Sequence, residues 1–133
     1  MFNIAIFKKI FYQAFKFSIV GIFGVFINYS VFILALVVFE INYIISGLMG
    51  YLFALIPIFF LNRYWTFKSD VSFVKGFPIY AIICLITLSC HSLIQYLSKE
   101  YVGIPEIYSQ ACGISVSVII SFILVRKLMI KQK

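Results

Sequence analysis

Asn62-Arg63-Tyr64-Trp65-Thr66-Phe67-Lys68 follows directly on an apolar run that closes with Ile58-Phe59-Phe60-Leu61. Arginine is costly to leave in hydrocarbon, whereas Trp and Tyr favour the headgroup layer. This stretch therefore reads as the point where a membrane helix meets an anionic lipid surface, and as the first place to look for a site. Deeper in other apolar runs stand Asn28, His91 and Gln95. Such side chains are expensive inside a membrane and face a cavity, a substrate path or one another. A neutral His91 has the groups to hydrogen-bond a sugar hydroxyl or relay a proton, and equally those to satisfy Asn28 alone. The competing reading of Arg63 is plain anchoring, its stem in lipid and its head at the surface. For Trp65 and Phe67 it is membership of an aromatic belt.

Other chemistries find no support. There is no pair of carboxylates, no nucleophile with a base and no cluster with metal-ligand spacing, so neither an enzyme, a metal nor a cofactor is expected. Glu40, Asp70, Glu100 and Glu106 all fall outside the apolar runs. That counts against proton coupling through a buried carboxylate, and against an exporter of organic cations, which needs one to hold its cargo. Cys84, Cys90 and Cys112 lie in apolar runs without a C-x-x-C pair and read as small packing residues.

The elements that position these residues are membrane helices. The chain has 133 residues, of which 64% are hydrophobic and 20% aromatic but only 11% charged, with a mean hydropathy of +1.11. That composition describes an integral membrane protein with one domain. Four runs approach the ~20 residues that cross a bilayer core: 17–39, 43–61, 77–97 and 107–125. Glu40-Ile41-Asn42 closes the first pair into a hairpin, and Lys99–Glu106 closes the second. The expected fold is all-α, four transmembrane helices in two hairpins. Residues 1–16 precede them as an interfacial amphipathic segment, with Ile4, Phe7, Phe11 and Phe15 on one side and Lys9, Gln13 and Lys16 on the other. Extension of the first span is the alternative. Residues 126–133 form a basic tail. Ten of the eleven Lys and Arg residues lie before the first span, between the second and third, or after the fourth. The positive-inside rule then places both termini and the central loop in the cytoplasm. This topology also accounts for the net charge of +7, so no nucleic-acid partner is expected.

A shift of 63 positions superimposes the halves, bringing Arg63 onto Arg126, Phe59 onto Phe122, Asn28 onto His91, and Ser46, Gly50 and Ala54 onto Ser109, Gly113 and Ser117. A parallel internal repeat is the expectation, of a kind common in transporters. Each span also carries small or polar residues at helical spacing: Ser18, Gly21, Gly24 and Asn28; Ser46, Gly50, Ala54 and Pro57; Tyr80, Cys84, Thr87, His91, Gln95 and Ser98; Gln110, Gly113, Ser117 and Ser121. They are either packing seams or the lining of a polar path.

Asn62-Arg-Tyr-Trp-Thr-Phe67, joined to Phe17-x-x-Val20-Gly21 and Asn28, resembles the GtrA-like family of small four-helix membrane proteins over residues 15–127. The second copy departs from it, with Val125 where the first has Asn62 and Lys127-Leu128 where it has Tyr64-Trp65. The resemblance implies flipping of a polyprenyl-phosphate-linked monosaccharide, such as one on undecaprenyl phosphate, from the cytoplasmic to the outer leaflet of a bacterial inner membrane. It implies a role in cell-surface polysaccharide glycosylation and a partner membrane glycosyltransferase that makes the lipid-linked donor. Under it, Arg63 offers a planar fork for phosphate oxygens, with Lys16, Lys68 or Lys75 adding charge. Trp65 and Tyr64 hold the interface or stack on a sugar ring. The substrate-binding set is then Arg63, Asn62, Trp65, Asn28, His91, Gln95, Arg126, Lys16 and Lys75, with membrane lipids around it. A homo-oligomer would help so short a chain enclose a pathway. The alternative function is a non-transporting subunit that anchors or regulates the glycosyltransferase.

Overall fold

In lipid every backbone N–H and C=O needs a partner within the protein, so long apolar runs with few breakers fold as helices. The computed structural model describes residues 3–130, without the side chains of residues 43, 44, 47, 48, 106, 107 and 109–111. Gln110 of the fourth stripe and Ser109, the repeat counterpart of Ser46, therefore lie outside the described side chains, and Lys131 and Lys133 outside the described residues. Helix α1 spans Ile4–Ile33, α2 Tyr43–Leu61, α3 Phe73–Glu100 and α4 Glu106–Ile130, and no strand occurs among the described residues. Three stretches are long and apolar enough to cross a membrane: Ile4–Val38, Phe73–Glu100 and Cys112–Ile130. At 19 residues α2 is the shortest of the four helices.

The chain divides into two compact units, Met1–Asp70 and Val71–Lys133. Each is one hairpin, α1 against α2 in the first and α3 against α4 in the second. Helix α1 runs through residue 16 without a break, and α4 continues through Arg126 and Lys127.

The helix ends are built alike. After α1 comes a π turn, Leu34–Val38, in which the Phe39 N–H donates to the Leu34 carbonyl, and Ile41 N–H then reaches back to the Ala35 carbonyl at 3.0 Å. Between them Glu40 is left-handed, with φ 51°. After α2 the pattern recurs through the π turn Asn62–Thr66: Phe67 N–H donates to Asn62, Ser69 N–H to Arg63 at 2.8 Å, and Lys68 has φ 49°. At the end of α3, Ile104 N–H donates to the Ser98 carbonyl and Gly103 supplies the left-handed residue, φ 74°. These are Schellman-type caps widened by one residue, and they satisfy carbonyls that a helix end otherwise orphans. Gly103 accepts this conformation without penalty. At Glu40 and Lys68 it costs about 1 kcal/mol each.

Helix α1 carries its polar and apolar sides the opposite way round from a water-soluble helix. Phe7 and Phe11 are 65% and 67% exposed, while Gln13 and Lys16 are 6% and 8% exposed. The buried line runs Gln13, Lys16, Val20, Gly24. Ser18 and Gly21 are exposed, so the stripe read from sequence is turned partly away from the buried line, and only Gly24 of its upper residues is buried. The exposed face suits hydrocarbon solvent, where apolar side chains have no reason to hide.

Candidate functional site

The end of the first hairpin holds four of the expected substrate-binding residues, Lys16, Asn62, Arg63 and Trp65. The Lys16 ammonium donates to the Trp65 carbonyl at 3.3 Å and lies 5.0 Å from the Trp65 ring and 4.5 Å from that of Tyr12. It thus caps a carbonyl of the last turn after α2, where a cation is favoured by the helix dipole, and gains cation–π attraction from both rings. Asn62 is 1% exposed, and its Oδ1 accepts from the Thr66 hydroxyl at 3.1 Å, one turn on. The Phe67 ring meets that of Phe17 at 6.2 Å, fixing the turn against α1. Tyr64 stacks on Phe60 at 5.9 Å. Over the Tyr64 ring, at 4.6 Å, lies the Arg63 guanidinium, which donates one N–H to the Tyr64 hydroxyl at 2.6 Å. The Arg63 Nε is buried without a hydrogen-bond partner.

This geometry sorts the motif. Asn62, Thr66 and Phe67 hold the π turn in shape. Trp65 and Tyr12 hold Lys16. Among the described residues, Arg63 has a buried donor left to satisfy, and neither it nor Lys16 meets a carboxylate. Two cations without counter-charge in a largely apolar protein make a favourable place for an anion.

Above this end, the hairpin crossing brings Gly50 against Asn28. A Cβ added to Gly50 would stand 2.5 Å from the Asn28 carbonyl oxygen and 2.9 Å from its Oδ1. The second hairpin has the same kind of approach, where a Cβ on Gly113 would stand 2.8 Å from both the carbonyl oxygen and Nδ1 of His91. Thus Asn28 and His91 are each half-buried at a glycine crossing of their own hairpin.

A family model for the GtrA/DPMS transmembrane domain matches residues 16–130. The chain belongs to this family. No curated protein matches it, and no solved structure does. The GtrA/DPMS domain makes the chain a multi-pass membrane protein of a family with a role in glycosylation, whose members are generally non-catalytic.

The remaining residues of this GtrA/DPMS-family chain divide between its units. Gln95 is half-buried one turn beyond His91 on α3, and Arg126 is half-buried near the end of α4. Lys75 is exposed in the first turn of α3, where its N–H donates to the N-capping Ser72 hydroxyl. Sequence reasoning missed Tyr12 and the inward turn of Lys16. Spacing from Phe7, Phe11 and Phe15 put Lys16 opposite the apolar face, which is correct, but only the solvent decides which face is buried. The three cysteines are half-buried and form no disulfide among the described residues, and no cluster able to hold a metal occurs among them.

Proposed function

We propose that the protein moves a polyprenyl-phosphate-linked monosaccharide from the cytoplasmic to the outer leaflet of a bacterial inner membrane, for cell-surface polysaccharide glycosylation. A membrane glycosyltransferase supplies the donor. The reading rests above all on Arg63: a guanidinium at a helix end, held flat on Tyr64, with a buried Nε that lacks an acceptor. A phosphodiester oxygen is an acceptor of the right charge for it. The termini and the segment carrying Arg63, Lys68 and Lys75 face the cytoplasm in this scheme, as the placement of positive charge favours. The polar groups Asn28, His91 and Gln95 serve the sugar head, and no side chain acts as a catalyst.

The two hairpins are copies of one unit in this reading, related by 63 positions. Its support is a set of coincident features: Gly50 with Asn28 against Gly113 with His91, Glu40 against Gly103 as the left-handed residue, and the bond from Ile41 to Ala35 against that from Ile104 to Ser98. Helices α2 and α4 also begin at corresponding positions, Tyr43 and Glu106.

The test is exchange of labelled polyprenyl-phosphate sugar between leaflets of proteoliposomes. Faster exchange than in empty vesicles is expected, and no difference would sink the transport reading. The alternative, a subunit that anchors a glycosyltransferase, draws support from the structural employment of Lys16, Asn62 and Trp65. In that case changes in residues 63–75 abolish co-purification with the enzyme, while changes at Asn28 and His91 do nothing.

A further inference from the structure

An open groove of about 490 Å³ runs along the first hairpin, lined by Ile19, Val20, Phe23, Leu61 and Trp65. Its volume falls within the range of about 300–1,000 Å³ typical of sites for small ligands. Every lining side chain is aliphatic or aromatic. In a bilayer such a groove fills with hydrocarbon, so the question is whose.

The answer lies at the groove's Trp65 end. The ring that closes the groove is the ring beside which Lys16 is held, with its ammonium 5.0 Å away. Lys16 is 8% exposed, and its contacts among the described residues are a carbonyl and two aromatic rings, with no carboxylate. An ammonium has three donors, and the Trp65 carbonyl takes one. A buried cation without a counter-ion is unfavourable unless an anion reaches it. Charge at one end and a single apolar channel leading from it describe a lipid with one phosphate and one chain.

We infer that this groove is a binding site for the phosphate-proximal part of an isoprenoid chain, with the phosphate drawn to Lys16 beside Trp65. The inference deepens the transport reading and rests on it for the choice of an isoprenoid phosphate. It adds that the chain is gripped near its head rather than left wholly in the lipid. Lys16 thereby binds the anion from the groove side, and Trp65 separates the charged end from the apolar one. A diacyl phospholipid fits less well, because its second chain has no place in a single groove.

Trp65 is the only tryptophan in the sequence, which gives a direct readout. The full-length protein in nanodiscs of phosphatidylcholine with brominated chains should show Trp65 fluorescence quenched by chains in the groove. Undecaprenyl phosphate, which carries no bromine, should restore the emission near equimolar amounts. Uncharged undecaprenol and unbrominated phosphatidylglycerol should each need at least about tenfold more, the scale of one lost charge-assisted contact. Lys16→Met should remove the preference for the phosphate over the alcohol. Ile19→Phe with Leu61→Phe, checked for unchanged helicity, should weaken undecaprenyl phosphate and a short isoprenyl phosphate alike, because both place the phosphate-proximal chain in the groove. Quenching that undecaprenyl phosphate does not relieve overturns the site, and equal relief by phosphatidylglycerol overturns the occupant. The leaflet-exchange assay separates the two claims. Exchange without relief of quenching removes the groove alone, and relief without exchange removes transport alone.

Discussion

The first hairpin buries polar groups at its end where the second buries apolar ones. Asn62 and Thr66 are buried at the end of the first, while Val125 and Met129 are buried at the corresponding positions of the second. Lys16 is buried on α1, and its counterpart on α3, Ile79, is 45% exposed. Yet the middles agree, with a glycine against a half-buried polar residue in each. The crossing serves helix packing, which both hairpins need. The polar end is particular to the first hairpin, and it is there that the proposed anion site lies.

The sharpest way to break the likeness is to crowd the crossings. Gly50→Ala and Gly113→Ala each drive a methyl into a backbone carbonyl, and each should cost about 2 kcal/mol or more in thermal or denaturant unfolding. Gly21→Ala is the control. A Cβ there meets nothing within 4 Å, so it should be neutral or stabilise by up to about 1 kcal/mol. Equal losses at all three positions would show that the crossings are not specially close.

Next comes the difference between the ends. Arg63→Ala should slow leaflet exchange at least about tenfold, the effect of losing one charged contact of roughly 1.4 kcal/mol. Arg126→Ala should change exchange less than about threefold. Similar losses from both would make the ends equivalent and undo the assignment of the site to the first.

Lys16→Ile places the second hairpin's residue in the first. Replacing a buried charge by an apolar side chain is often close to neutral, so unfolding should shift by about 1 kcal/mol or less in either direction while exchange falls. Smallest are the caps. Gly103→Ala should destabilise by about 1 kcal/mol, because alanine is strained at positive φ. Lys68→Gly, at φ 49°, should stabilise by up to about 1 kcal/mol. A loss there would mean that the Lys68 side chain contributes more than its backbone strain costs.

Much of this architecture is legible in the sequence because lipid imposes blunt rules. Apolar runs become helices, and Glu40-Ile41-Asn42 and Gly103 mark the connections. The glycines at 50 and 113 could be picked out as close-packing positions from their register alone. The widened caps were not legible at Glu40 and Lys68, because a left-handed residue that is not glycine leaves no compositional mark. The inward turn of Lys16 was hidden for another reason. A lysine beside an apolar run is ordinarily a surface charge, and the groups that hold this one inward include the Trp65 carbonyl, 49 positions along the chain. Asn62 was readable as important but not as the lock of a turn, since its bond from Thr66 leaves no mark in composition.

That Lys16–Trp65 contact also bears on how the protein is made. Lys16 leaves the ribosome long before Trp65 does, and at that stage it is a hydrated cation that resists passage through the bilayer. When α2 is complete, the same ammonium is drawn in between Tyr12 and Trp65 and fastens the two helices together. One charge thus meets two surroundings in succession, water before Trp65 exists and a carbonyl between aromatic rings after it, where it clasps the helices.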